Sequence, residues 1–333
     1  PHNPELLYTA ANLYRETTHY GYLVSDKFSR GYPRGGAVRP VNPVERDRTR
    51  TLQLLLAAKK SAARNDNIFP DIQFAIADVL TRDASAGEAW RLTHLSALDT
   101  LPAYDNEYYA SEFRGAPAKS DGAPFFFAVP ESWESAANDG ERYRWVLHEL
   151  AQAQPGQGPA VRFALASFWH KLYGVQTLAH YGFFETQDEA AAQAGRFAVS
   201  TLGETETIAR LASGIKRFAL PDEFNYIAIF KALAKDKSST RSYAERSLEA
   251  LAGIFENRRQ YPKAAEYWRA LVTRFGPGPD NERARRLDQI TGAWGELEAA
   301  NSQTASLPAS LAYRFRNARS VSLRARRIRL DKL

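Results

Sequence analysis

Few side chains in this sequence have the types and the spacing that an active site requires. His148 and Glu149 begin a pattern in which a second histidine, one helical turn later, would complete a zinc site, but that later position is Gln152. Without the second imidazole, the metal has no pair of ligands on one helix face. We therefore expect His148 and Glu149 to lie on the surface of a helix.

The other candidate catalytic features are also incomplete. The remaining histidines stand singly, at His2, His19, His94, His170 and His180. Two glycine-bearing loops, at 35–36 and 276–279, lack the lysine and hydroxyl of a phosphate-binding loop. Glu204 and Glu206 are an acid pair at a predicted helix start, where the positive end of the helix stabilises carboxylates. Cysteine is absent, which excludes disulfides, thiolate metal sites and cysteine nucleophiles from this chain. The sequence therefore predicts a non-enzymatic protein with no cofactor and no metal.

Aromatic residues concentrate in an irregular stretch at about 101–131, which is rich in Tyr, Gly, Pro and Phe. Two interpretations fit it: the rings fill the core beneath an excursion of the chain, or they line a groove for a partner peptide. The candidate groove residues are Tyr104, Tyr108, Phe113, Phe126 and Trp133. A third interpretation, a helical-toroid glycan-binding protein or enzyme, requires a deep pocket with converging polar groups in this stretch.

Apolar residues recur at three- and four-residue steps through most of the chain, which predicts a mainly α-helical protein. Short polar links between successive helices favour antiparallel neighbours. Prolines and glycines interrupt this pattern at 30–43 and in the aromatic stretch. The predicted helices span 3–23, 44–63, 68–80, 85–98, 139–150, 159–178, 205–215, 221–234, 242–258, 261–274 and 281–294.

Residues 242–274 carry the strongest repeat signal. Small residues stand where two helices would touch and aromatic residues where they would fill the space between them, as in a tetratricopeptide-type helical hairpin. The residues of this packing pattern are Leu251, Phe255, Tyr261, Ala264 and Trp268. Arg259 stands where glycine is common, so the repeat is degenerate. Because one hairpin cannot bury its own apolar face, its neighbours must be hairpins too, which predicts an α-solenoid array over residues 1–300.

The last residues change from a helical period to alternation. Apolar and aromatic side chains occupy every second position at Leu311, Tyr313 and Phe315. A second alternating run begins at Val321, after a turn at 317–320. This pattern predicts a β-hairpin. Because a lone hairpin is marginal in water, residues 305–333 are expected to begin a β-domain that continues beyond Leu333.

Arginines concentrate positive charge in the same region. Seven of them occur between Arg314 and Arg329 with no acid between, in a chain of 333 residues whose net charge is +6. They could follow a phosphate backbone, but alternation on a strand also places arginine on the outer face of a sheet packed against a core. The second interpretation is preferred, so no nucleic-acid partner is expected. No run of about 18 apolar residues occurs, so no transmembrane segment is expected either.

Several segments share a recognisable family pattern, including Tyr-Pro-Lys-Ala-Ala-Glu-Tyr-Trp-Arg from Tyr261. The segments are 12–17, 20–24, 34–36, 45–48, 52–55, 207–218, 220–225, 254–269, 287–290, 294–295 and 313–317. Together they resemble the N-terminal helical region of the large alpha-2-macroglobulin-like proteins of planctomycete-type bacteria. The family's thioester needs a cysteine, which this chain lacks.

The resemblance implies a tetratricopeptide-like region ahead of macroglobulin-like β-sandwich domains, in a periplasmic or cell-surface protein of the protease-trapping family. It implies a non-enzymatic scaffold whose partners are a protein or peptide and the further domains of the same chain. From the helical pattern alone, a free-standing adaptor that binds peptides is the alternative.

Overall fold

Helices make up most of the secondary structure of this chain. The computed structural model describes residues 3–31, 38–81, 88–104, 114–175, 198–236, 240–298, 308 and 310–324. Within these ranges it has nine α-helices and three small antiparallel sheets, which confirms the prediction of a mainly α-helical protein. The finer prediction of a tetratricopeptide-like array stays a prediction. Among the described helices, none is both long and apolar enough to cross a membrane.

The chain divides into two units, 1–247 and 248–333, and one helix carries the chain from the first to the second. The predicted boundary near residue 300 stays a prediction. The helices are α1 (Pro4–Glu16), α2 (Val44–Ser61), α3 (Phe69–Thr81), α4 (Asp139–Ala153), α5 (Gly158–Tyr173), α6 (Tyr226–Lys235), α7 (Arg241–Asn257), α8 (Tyr261–Phe275) and α9 (Glu282–Thr291). The strands are β1 (Gly21–Val24), β2 (Lys27–Arg30), β3 (Val38–Val41), β4 (Glu206–Leu211), β5 (Gly214–Ala219), β6 (Trp294–Leu297) and β7 (Tyr313–Arg316).

The first helix ends earlier than predicted because a small sheet follows it. The side-chain oxygen of Asn3 caps α1 by accepting hydrogen bonds from two backbone N–H groups of the first turn, and the chain becomes extended at Thr17. β1 then pairs with β2 through a two-residue turn at Ser25 and Asp26, both of which have positive φ, as the tight hairpin turn requires. β3 pairs with the other edge of β1.

The predicted helix at 205–215 is wrong, because these residues form the hairpin of β4 and β5. Leu211 pairs with Gly214 at its turn, and the φ of Gly214 is +109°, a conformation that other residues rarely adopt. The β-branched Thr207 suits an extended backbone, and its hydroxyl donates a hydrogen bond to the carbonyl of Tyr173. Periodicity does not separate a short apolar run in a strand from one in a helix.

Other predicted helices are also shorter than expected, including those at 159–178 and 221–234, where α5 ends at Tyr173 and α6 begins at Tyr226. The described part of 85–98 contains only a short 3₁₀ turn at Ala89–Thr93. The last helix was predicted to reach Trp294, but α9 ends at Thr291 because Gly292 takes an extended conformation.

Charged side chains are buried between the helices of the first unit. Asp139, at the start of α4, is 3% exposed and accepts hydrogen bonds from Arg48 of α2 (3.1 Å) and from Arg142 (3.2 Å). The backbone N–H and the hydroxyl of Ser96 also donate to this carboxylate, at 3.1 and 2.5 Å. A buried carboxylate that is satisfied by four donors avoids the cost of burying an unpaired charge. These bonds connect α2, α4 and the segment that precedes α4.

The second unit contains a helical hairpin formed by the end of α7 and α8. Phe255 of α7 stacks on Tyr267 of α8, with their ring centroids 5.4 Å apart. The turn between the helices passes through Arg259, whose φ is +54°. This is the left-handed region that glycine adopts at low cost, which explains why glycine is common at this position of the repeat pattern.

The predicted pairing of the C-terminal hairpin is wrong. β7 pairs antiparallel with β6, and the described residues that follow it, 317–324, form no strand. Asn317 explains this pairing, because its amide donates hydrogen bonds to the carbonyls of Ile290 (2.6 Å) and Gly292 (3.1 Å) at the end of α9. These bonds hold the end of β7 beside the residues that lead into β6. The predicted β-sandwich domain stays a prediction.

Candidate functional site

A cleft on the second unit brings together exposed aromatic and charged side chains. Its volume is about 500 Å³, and it is open to solvent. Its walls are formed by the ends of α7 and α9, the start of α8, and strands β6 and β7. The lining residues that matter chemically are Glu256, Tyr261, Arg286, Asp288, Trp294 and Arg316.

The backbone around the cleft exposes its two aromatic rings. Tyr261 is the first residue of α8 and is 47% exposed, and Trp294 opens β6 and is 42% exposed. Gly292 lies between α9 and β6, and a Cβ at this position would lie 2.6 Å from the carbonyl oxygen of Asp288. A side chain there would push the chain away from the helix end. Glycine therefore lets Trp294 follow α9 closely enough to line the cleft.

The charged groups of the cleft differ in how they are held. Glu256 accepts a hydrogen bond from the indole N–H of Trp268 and faces Arg286 at 3.6 Å. Arg316 lies over the ring of Trp294, with 5.8 Å between the guanidinium carbon and the ring centroid, because β6 and β7 pair these two residues directly. A cation–π contact at an exposed site contributes about 0.5–1 kcal/mol. One arginine thus faces a carboxylate, and the other lies over an aromatic ring.

The strand pair presents different chemistry on its two faces. Residues that are directly paired share a face, and successive residues of a strand alternate between faces. One face carries Trp294, Glu296, Arg314 and Arg316, and the other carries Leu297, Tyr313 and Phe315. On the second face the rings of Tyr313 and Phe315 stack at 5.9 Å, and Phe315 is 53% exposed. The cleft is therefore formed on the charged face, and the opposite face is apolar.

The predicted repeat-packing residues lie in the same unit. Leu251, Phe255 and Ala264 are fully buried, and Trp268 is 6% exposed. Tyr261 differs, because it lines the cleft instead of filling the space between the helices.

The predicted groove residues are placed in separate surroundings. Tyr108 and Phe113 lie outside the described residues. Tyr104 stacks on Phe28 at 4.7 Å, beneath the guanidinium of Arg46. Phe126 packs against Tyr173, Phe218 and Phe224, and Trp133 packs edge-on against Trp145 and beneath Arg142. For Phe126 and Trp133, this placement agrees with the core-filling interpretation of the aromatic stretch.

The partial zinc motif has a structural role. His148 is exposed on α4, as expected, and its imidazole Nε2 lies 2.7 Å from the amide nitrogen of Gln152. The expectation of a surface position is wrong for Glu149, which is 8% exposed and binds Lys59 at 2.6 Å and Gln73 at 2.7 Å. Burial lowers the pKa of Lys59, while the hydrogen bond to Glu149 acts in the opposite direction. Glu149 is the buried counter-ion of this lysine.

The sequence does not predict the cleft, because its pattern places Trp294 in the last helix, whereas this residue begins β6. A signal was present in Gly292, since glycine often follows the last turn of a helix. The contribution of Arg286 could not be foreseen, because it depends on α9 lying beside Glu256 of α7, which is a tertiary contact.

No family model, curated protein or solved structure matches this chain.

Proposed function

We propose that this chain is a non-enzymatic protein-interaction region and that the cleft of the second unit is its contact surface. The observation that carries the proposal is the pairing of two half-exposed aromatic rings, Tyr261 and Trp294, with Arg286 and Arg316 in one open cleft. Aromatic and arginine side chains are enriched at protein interfaces and supply most of their binding energy. An open cleft of this composition suits a protein segment that lies along it.

The scaffold in this proposal is a degenerate tetratricopeptide-type unit. The buried Leu251, Phe255 and Ala264 support this assignment, as does the left-handed turn at Arg259. The resemblance to the helical region of bacterial alpha-2-macroglobulin-like proteins adds the expected context. In that context the chain precedes β-sandwich domains of a periplasmic or cell-surface protein in the protease-trapping family, and it positions these domains or their targets by contact.

A quantitative capture experiment tests the interaction function. The full chain, immobilised, is compared with Tyr261→Ala/Trp294→Ala, and a matched control removes two exposed apolar side chains elsewhere, Leu6→Ala/Leu13→Ala. We expect the parent chain and the control to recover the same proteins from source-cell extract. The cleft variant is expected to lose them. Equal recovery by all three proteins would refute the cleft as the contact surface. Circular dichroism spectra establish that each variant is folded.

The family context has a separate test. The reading frame that encodes this chain is expected to continue beyond Leu333 into β-sandwich domains. A stop codon shortly after Leu333 would contradict that context and would favour the free-standing peptide-binding adaptor.

A further inference from the structure

We infer that the cleft of the second unit selects an acidic peptide segment, whose carboxylates bind Arg316 and Arg286 while its apolar side chains pack on Trp294 and Tyr261. This inference rests on the proposed interaction function and names the chemistry of the partner.

The distribution of charge along the chain supports an acidic partner. Residues 248–333 contain 16 Lys and Arg against 9 Asp and Glu, a net charge of +7, whereas residues 1–247 contain 28 against 29, a net charge of −1. The whole positive excess of the chain therefore belongs to the unit that carries the cleft. A field of one sign attracts partners of the opposite sign and raises their rate of association.

The two arginines of the cleft have donors to offer. In the described part of the chain, Arg316 forms no ion pair, and its guanidinium carbon lies over the ring of Trp294. A guanidinium has five N–H donors along its edge, and a contact with an aromatic ring does not use them as a carboxylate would. Arg286 is about half exposed and faces a single carboxylate oxygen of Glu256 at 3.6 Å, which is too long for a strong hydrogen bond.

The aromatic rings provide the apolar part of the recognition. Trp294 and Tyr261 each expose nearly half of their surface in the same cleft. Covering such rings contributes binding energy at a small cost in side-chain entropy, because each ring has only two rotatable bonds. Partner segments that alternate acidic and apolar residues would meet both requirements.

Asp288 allows a test of whether charge in the cleft controls the binding of an acidic peptide. Its carboxylate lines the same cleft and opposes an acidic ligand. Removal of this charge should strengthen the binding of an acidic peptide, whereas removal of a cleft arginine should weaken it. A ligand that is held only by apolar contact would respond to neither change.

The probe is a short fluorescein-labelled peptide of alternating Glu and Leu, titrated with the full chain and followed by fluorescence anisotropy. The matched probes replace Glu by Gln or by Lys. Binding of the Glu peptide is expected to weaken about tenfold with Arg316→Gln and to tighten severalfold with Asp288→Asn. Binding should also weaken as salt is raised to physiological ionic strength. The control Arg319→Gln removes an exposed arginine outside the cleft lining and should have little effect.

Three outcomes overturn the inference. They are equal binding of the Glu and Gln peptides, equal losses with Arg316→Gln and Arg319→Gln, and tighter binding of a DNA duplex than of the Glu peptide with no effect of Trp294→Ala. If the Glu peptide fails to bind but Tyr261→Ala/Trp294→Ala still abolishes capture of a protein partner, the interaction function stands and the acidic specificity is wrong. If neither experiment depends on the cleft, both proposals are wrong.

Discussion

At the scale of single residues, the most consequential side chains are polar groups that the fold buries. Asp139 receives four hydrogen bonds, two of them from arginines of different parts of the chain. Glu149 and Lys59 form a second buried pair beside the ring of Trp145, whose centroid lies 3.9 Å from the ammonium nitrogen. Neither pair is predictable from the sequence, because each joins residues that are far apart along the chain.

Removal of the Asp139 carboxylate should destabilise the first unit. Asp139→Ala leaves the guanidiniums of Arg48 and Arg142 without this carboxylate in a largely buried site, at an expected cost of about 3 kcal/mol in the free energy of unfolding. The matched control, Glu45→Ala, removes the exposed partner of Arg48 and should cost less than about 0.5 kcal/mol. Urea unfolding measures both, and equal small losses would show that the buried pair is unimportant.

Buried tyrosines predict a loss of stability in alkali. Burial raises the pKa of Tyr143 and Tyr173 above the ordinary value of about 10, so both stay protonated in the folded protein while the unfolded chain ionises. Their stabilisation is therefore complete below pH of about 10 and is lost as the pH rises above it, by up to about 1.4 kcal/mol per pH unit for each group.

Tyr143→Phe isolates this effect. Within the described residues the hydroxyl of Tyr143 forms no hydrogen bond, so this variant should match the parent at neutral pH and lose less stability in alkali. Tyr173→Phe should also be less stable at neutral pH, because the Tyr173 hydroxyl donates to the carbonyl of Phe125 at 2.8 Å. Parallel stability–pH curves for Tyr143→Phe and the parent would show that Tyr143 does not cause the loss of stability in alkali.

At the scale of elements, helices were predictable where the apolar pattern was long. The predicted helices at 44–63, 242–258 and 261–274 agree with α2, α7 and α8 to within about two residues. The hairpin at 206–219 and the sheet that follows α1 were not predicted, because their strands have only four or six residues and apolar residues over so short a run fit either period. The pairing of β7 with β6 depends on hydrogen bonds from Asn317 to the carbonyls at the end of α9. These residues are far apart along the chain, so the local sequence pattern does not contain this contact.

Asn317 should anchor the strand pair to α9. Asn317→Gly keeps a residue that tolerates the positive φ of +57° but removes the amide, whereas Asn317→Ala removes the amide and adds strain. We expect Asn317→Gly to destabilise the second unit by about 1 kcal/mol and Asn317→Ala by about 2 kcal/mol. Hydrogen exchange at the amides of β6 reports the local effect. Unchanged exchange in both variants would mean that the cap does not hold the strands.

The turn between α7 and α8 should gain from glycine. Arg259 is exposed and adopts a φ of +54°, so Arg259→Gly relieves the strain of a left-handed conformation and should raise the free energy of unfolding by about 0.5–1 kcal/mol. Thermal unfolding checks the gain, and a lower melting temperature would contradict the role assigned to this turn. The sequence indicated this position correctly, since a repeat pattern that favours glycine marks a backbone requirement.

At the scale of the whole molecule, charge is divided between the two units. The second unit holds the cleft and the whole positive excess, and the first unit is nearly neutral. The sequence predicts a basic C-terminus whose arginines lie on the outer face of a sheet. In the structure, one face of the β6–β7 pair carries Arg314 and Arg316 together with Trp294 and helps to form the cleft. The candidate site is recognisable only in the three-dimensional structure, because its residues come from five elements.

The inferred ligand of this cleft is an acidic protein segment. The most direct measurement is the change in affinity for the Glu–Leu peptide when the full chain carries Arg316→Gln and, separately, Asp288→Asn. The expected changes have opposite signs, with binding about tenfold weaker for the first variant and severalfold tighter for the second. Changes of the same sign, or no change in either variant, would contradict this inference.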